Sequence, residues 1–260
     1  PPKDGTSNNN TTPPQPPDLD PGDKGKTVPE TIAKQIEGTY AARMRVATVQ
    51  DLPVLGKADS TAVTYGIAVI TYTAGALTIL ESGCHVDIQS FGSMSTIVPD
   101  AIAQSVVPET HEFRAWQEGT TVKWARPLVA SPVGAKLAAP ATDTLPAKDD
   151  DARVWDQDKD GKPGVTVKVS GFVSGDIYVV QRQRSVLAGT VSATGDLAGL
   201  VADTSDQSVI GSSNPVLNQN IPSTTDPDSS KSNVIFVKDK VGLTCQDLLT
   251  RKDTIFAGKP

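Results

Sequence analysis

Period-two hydrophobic alternation, interrupted by turns of a few residues, constrains this chain more than any other feature. Residues 61–73 read TAVTYGIAVITYT, Ala74-Gly75 follows, and residues 76–81 return as ALTILE. β-Branched and aromatic side chains suit a pleated, half-buried surface, and a two-residue turn joins antiparallel neighbours. Upstream, Tyr40, Ala42, Met44 and Val46 alternate with Arg43 and Arg45, so one face is apolar and the other charged. Residues 84–88 continue after an interruption at Ser82-Gly83, and residues 111–116 and 120–126 flank Glu118-Gly119. Residues 165–169 and 176–183 flank a turn at 171–175, and residues 187–192 and 197–203 flank another at 193–196. A last strand at 233–238 follows a long polar loop over 212–232.

This pattern predicts about nine or ten strands, mostly in short-turn succession. No long helical periodicity separates them, which excludes a parallel βαβ sheet. The fold class is therefore all-β: a single antiparallel β-barrel, with a sandwich as the alternative, between short N- and C-terminal helices. The first helix is read from Thr27-Val28-Pro29-Glu30, with Thr27 as cap, Ile32 and Ile36 on one face, and Gly38 as the stop. Such a helix would plug or flank the domain. Residues 244–251 form the closing helix. No internal repeat is present, so propellers and solenoids are disfavoured.

The 260 residues suit one large β domain, placed at 27–256. Residues 1–26 are nearly devoid of apolar side chains and rich in Pro, Asn, Thr, Asp and Gly, a composition expected to form a disordered polar tether. Asn9 and Asn10 match N-x-Thr, as such a composition does by chance. Gly25-Lys26-Thr27 imitates the end of a phosphate loop, but Asp20 stands where that loop needs glycine. The formal net charge is −6 and no basic stripe occurs, which argues against nucleic acid as a partner. Aromatics at 5% are too sparse for the girdles of a membrane barrel, and no apolar run reaches the length of a transmembrane helix.

Two family resemblances follow from these residues. The opening segment resembles the leash of bacterial lipoproteins, which implies a lipid anchor on a preceding cysteine and an extracytoplasmic location: periplasmic, outer-membrane-anchored or secreted. The order of elements resembles lipocalin-like (calycin) barrels: a short helix, then Gly38-Thr39-Tyr40 where that family has G-x-W, then meander strands, then a closing helix bearing Cys245. Tyr40 replaces the tryptophan. The resemblance implies a barrel with an interior cavity and leaves the ligand open.

Cys84 and Cys245 are the two cysteines, too far apart for a CxxC redox or zinc motif. Features pointing outside the cytoplasm favour their pairing over two buried free thiols. Closing a loop of that length corresponds to about 5 kcal/mol of chain entropy.

The sharpest chemical signal is DQDKDGKPG at 156–164. Asp156, Asp158 and Asp160 occupy alternate positions, and Gly161 then permits a sharp turn. Carboxylates at positions 1, 3 and 5 of such a loop converge on a hard cation, so the expected cofactor is calcium. The match resembles part of an EF-hand or dockerin loop, with Lys162 supplying a backbone carbonyl. Val167 stands where an EF-hand has its bidentate glutamate, and no helices flank the loop. Asp149, Asp150 and Asp151 are candidate extra ligands. Residues 149–160 carry six aspartates against Arg153 and Lys159, a local charge of −4 that a divalent ion would relieve. The alternative is a solvated acidic turn.

Catalytic motifs are missing. No HExxH or GxSxG occurs, and Cys84 and His85, as strand neighbours, are expected on opposite faces. His111 has no clustered partner, and Glu109, Glu112 and Glu118 have no fixed separation. Tyr65, Tyr72, Phe113, Trp116 and Trp124 either pack the core or line a cavity. The sequence therefore reads as a non-catalytic, lipoprotein-like barrel that binds a small apolar ligand or an envelope protein, with a structural calcium ion. The alternatives are an envelope structural or surface-assembly protein with a packed barrel and, last, a hydrolase with an unrecognised site.

Overall fold

The structure, a computed structural model, describes residues 19, 21–52, 56–89 and 94–259. Its strands are β1 (Gly38–Leu52), β2 (Gly56–Thr73), β3 (Ala76–Ile88), β4 (Ser95–Ile97), β5 (Thr110–Glu118), β6 (Thr121–Val133), β7 (Val165–Ser170), β8 (Gly175–Val191), β9 (Leu197–Ser212), β10 (Ser223–Thr225) and β11 (Asn233–Asp239). Three helices accompany them: α1 (Glu30–Ile36), α2 (Asp100–Ser105) and α3 (Cys245–Ile255). Eight strands close into an antiparallel ring in the order β1-β2-β3-β5-β6-β8-β9-β11. Fifteen residue pairs, Ile177↔Ser212 to Val191↔Leu197, form the β8–β9 side, and Thr39↔Asp239 to Arg45↔Asn233 join β11 back to β1. Ring closure removes the sandwich alternative. β7 pairs with the first part of β8, beyond the stretch that pairs with β6, and β4 pairs with β7.

The two ends of the ring differ. Ala74-Gly75, Gly119-Thr120 and residues 192–196 all turn at the end where α1 sits. In the first of these, Ala74 (φ 51°) and Gly75 (φ 88°) both adopt the left-handed conformation that a two-residue hairpin requires. α1 inserts Ile32, Ala33 and Ile36 among Tyr40, Ala68, Ile70, Leu77 and Ile79, all buried. Phe113 and Trp124 stack with centroids 5.5 Å apart, and Phe236 meets the Trp124 ring edge-on at 5.7 Å. Gly199 makes room for that indole, since a Cβ there would lie 2.9 Å from Trp124 Cζ2. Long connections carry the opposite end: 89–109 with α2, 134–164, and 213–232.

Outside the ring, Leu248 of α3 and Phe256, the residue after its last turn, lie against Ala41 and Ile235. Thr244 and Asp247 cap its start reciprocally. The Cys84–Cys245 disulfide staples α3 to β3, with Cα atoms 5.3 Å apart.

Several expectations need correction. Thr27 does not cap α1; the helix begins at Glu30, with Pro29 in the cap position and no side-chain cap bond. The segments expected at 176–183 and 187–192 are one 17-residue strand, and 197–203 continues to Ser212 in a 16-residue strand. The polar residues at 181–184 meet polar groups on the outer face and the open cavity on the inner one. Arg182 bonds Asp206 and the carbonyls of Pro140 and Asp143 beneath the 134–164 connection, while Gln181 and Gln183 face the interior. α2, β4 and β10 had no periodic signal, being three to six residues long. The tether boundary at 26 runs too far. Leu19 is buried with Ala125, Val186, Ala188 and Ala202, and Arg114 donates to the Gly22 carbonyl. Residues 1–18 and 20 of that segment lie outside the described residues.

Candidate functional site

Above the aromatic layer the ring interior opens into a cavity of about 1270 Å³. Its walls are mostly small or apolar side chains from alternate strand positions, including Met44, Val46, Ala62, Thr64, Val129 and Val209, with Ser131, Gln181 and Gln207 higher up. α2 and the connection carrying Trp155 and Gln157 flank the mouth.

The floor is ionic. Each charged residue there follows an inward apolar residue by two positions: Glu81 after Ile79, Arg126 after Trp124, and Asp203 after Val201. Strand alternation therefore aims all three inward. Arg126 is buried; its Nε lies 3.1 Å from Glu81 Oε2, Nη2 donates to Ser185 Oγ at 2.8 Å, and Nη1 donates to the Ser185 carbonyl at 3.1 Å. Burial lowers the Arg126 pKa, against the attraction of Glu81 and Asp203. Glu81 keeps a third of its side chain exposed, at the cavity wall. Asp203 is 1% exposed, accepts from Ser205 Oγ at 3.2 Å through Oδ2, and leaves Oδ1 without a hydrogen-bond partner. Burial pushes its carboxyl up to about 6, opposed by Gln183, Ser205, Arg126 and Arg184. His111, paired with Ile79 across β3–β5, also lines the cavity.

The sequence motifs do not single out these floor residues. A signal was present: charged residues placed on the apolar side of an alternating strand.

The acidic loop sits at the open end, between β6 and β7. Oxygens of Asp156, Asp158 and Asp160 lie within 4.8 Å of one another. The loop is wound around the first aspartate: Asp156 accepts from the backbone N–H groups of Asp160 (3.1 Å) and Gly161 (2.9 Å). Lys159 (φ 60°) and Gly161 (φ 84°) supply the left-handed turns. Asp160 accepts from the Lys162 N–H at 2.9 Å, and the Lys162 ammonium lies 5.8 Å from the Tyr178 ring centroid. Asp158 accepts from the Thr166 N–H at 3.0 Å, which ties the loop to β7, and its Oδ1 is buried without a hydrogen-bond partner. Burial raises the Asp158 pKa, and the Asp160 and Asp156 charges add to this. Asp149, Asp150 and Asp151 do not join the cluster. Asp151 is held by Arg153, whose hydrogen bonds draw its carboxyl down to about 2.

Cys84 and His85 do not point apart. A β-bulge at Tyr65/Gly66 absorbs Cys84 as an extra residue, so both reach the Tyr65 side of the sheet. Cys84 packs there beneath α3, and His85 stacks on Tyr65 with centroids 6.1 Å apart. The imidazole bridges Asp100 of α2 (2.6 Å) and Asp87 (2.7 Å), and Lys252 of α3 reaches Asp87 at 3.2 Å. Burial opposes the charged imidazole, but the two aspartates outweigh it and raise its pKa. Of the aromatics, Phe113 and Trp124 are core, while Trp116 and Tyr65 pack on outer faces. Glu112 pairs with Arg114, and Glu118 with Lys24, both on the surface.

No family model, curated protein or solved structure matches the chain. Among the described residues, no helix is long and apolar enough to cross a membrane.

Proposed function

We propose that this protein is a non-catalytic, extracytoplasmic β-barrel that holds a small, largely apolar molecule inside the ring. The carrying observation is the asymmetry of the interior: one end filled by α1 and four aromatic rings, the other a cavity of about 1270 Å³ open through long connections. Concave, mostly apolar pockets with a few convergent polar groups are the usual form of small-molecule sites. The lipocalin-like resemblance is part of this reading. Supporting it are the eight-stranded ring, the plug helix, Tyr40 at the start of β1 packed on Phe236, and the disulfide-tied α3. The disulfide also supports an oxidising compartment.

The acidic loop is assigned a structural calcium ion held by Asp156, Asp158 and Asp160, with the Lys162 carbonyl and water completing the shell. Supporting this are the convergence of three carboxylates and the unpartnered Asp158 oxygen. The ion would fix the start of β7 through Thr166. It would also fix Gln157, which accepts from the Gly134 N–H at 2.7 Å at the cavity mouth.

Two measurements test these readings. Displacement titration with a fluorescent apolar probe should give one saturable site per chain; no uptake rejects the cavity reading in favour of a barrel with a structural role. Thermal unfolding in millimolar calcium against chelator should show a rise in Tm, about 2.7 kcal/mol at a hundredfold excess over Kd. An Asp158→Ala variant should lose it. Equal Tm values in all four conditions reject the ion.

A further inference from the structure

The polar floor narrows the ligand, on the reading that the cavity is a binding site. A molecule lying along the apolar walls ends against Glu81 and Arg126, with Asp203 buried behind them on an inward strand position. The guanidinium is already engaged: Glu81 lies 3.1 Å from its Nε, and Ser185 takes both terminal nitrogens. Arg126 Nε has this ion pair but no aligned hydrogen bond, and it is buried; what the floor exposes to the cavity is the Glu81 carboxylate. Glu81 presents the exposed third of its side chain to the cavity, and Asp203 Oδ1, in a side chain that is almost completely buried, has no donor. Two carboxylates face one guanidinium on the inner side of the wall. The positive charges of Arg182 and Arg184 belong to the outer side, where Asp206 and the carbonyls of Pro140, Ala141 and Asp143 hold them. An anionic head group would meet Glu81, with the Asp203 charge behind it, and find the buried cation already ion-paired. A donor head would find the Glu81 carboxylate waiting, in an interior where a charge-assisted bond is strong.

We infer that the cavity takes an elongated amphiphile whose head group donates hydrogen bonds and is cationic, an alkylammonium type, seated on Glu81, with the buried Asp203 adding negative charge behind it. Hydroxyl heads rank second and carboxylate heads last.

Three probes of equal chain length, dodecylamine, dodecanol and laurate, separate the possibilities by competition against the fluorescent apolar probe at neutral pH and below their micelle concentrations. Wild-type protein should bind the amine about tenfold or more tighter than laurate, the scale of one charge-assisted hydrogen bond. Glu81→Gln should shrink that preference about tenfold while leaving dodecanol nearly unchanged. Gln retains an acceptor for Arg126, and Asp203→Asn serves as the second variant if Glu81→Gln fails to fold. Laurate binding as tightly as the amine overturns the head-group assignment and leaves the cavity reading standing. An amine preference that persists in both variants also overturns it, because the acidic surface would then be the cause. If none of the three displaces the probe, both readings fall.

Discussion

Replacing Asp203 by asparagine isolates one buried charge, and the expected effect can be worked through. The carboxyl is 1% exposed and sits near 6 instead of its ordinary 3.8. That gap of about two pH units, at 1.36 kcal/mol each, corresponds to a penalty of about 3 kcal/mol on the ionised form. Between about pH 4 and 6 the native state keeps a proton that the unfolded chain has released. Wild-type stability therefore falls as pH rises through that window. Asparagine has no such titration and keeps nearly the same shape. Urea unfolding of wild type and Asp203→Asn at pH 4 and pH 7 gives four free energies. In the difference between proteins, other titrating groups cancel, as does any pH-independent cost of the substitution. The difference should move toward the variant by about 2–3 kcal/mol from the lower to the higher pH. A difference that stays constant within about 0.5 kcal/mol would show that Asp203 is not held in a penalised state, and the ionic floor would lose its main energetic support.

Removing the disulfide by Cys84→Ala with Cys245→Ala should cost about 5 kcal/mol, or roughly 10 °C in Tm for a chain of this size; an unchanged Tm would mean the staple contributes nothing. His85 has a raised pKa, so its clamp on Asp87 and Asp100 stabilises fully below the ordinary histidine value and fades as pH rises through the higher folded one. The stability gap between wild type and His85→Gln should accordingly be wider at pH 5.5 than at pH 8, and equal gaps would refute the clamp. Trp124→Ala removes a fully buried indole stacked on Phe113 and should cost about 3–5 kcal/mol in urea unfolding, whereas a loss below about 1 kcal/mol would mean that the closed end is loosely packed.

The barrel was legible wherever alternation was clean. Tyr40, Ala42, Met44 and Val46 do face inward, Arg43 does face outward over Phe256, and the hairpin at Ala74-Gly75 follows from its two turn residues. Alternation failed where both faces of a strand turned polar, as at Gln181–Arg184. Burial there is supplied by a connection distant in sequence on one side and by a wet interior on the other. The acidic loop announced its three aspartates because its contacts are local. The floor was harder to see, since Glu81, Arg126 and Asp203 are brought together only by ring closure. The bulge that turns Cys84 and His85 to one side depends on pairing between strands, which single-strand periodicity does not carry.

Three tight hairpins, at Ala74-Gly75, Gly119-Thr120 and 192–196, gather at the plugged pole, which has a consequence for how this scaffold tolerates change. Length variation there would disturb the registers that close the circle, whereas the opposite pole is framed by segments of roughly twenty to thirty residues that hang on completed strands. Grafts or diversified libraries aimed at reshaping the cavity mouth therefore belong at the rim, where new sequence would alter the entrance while the staves stay in place.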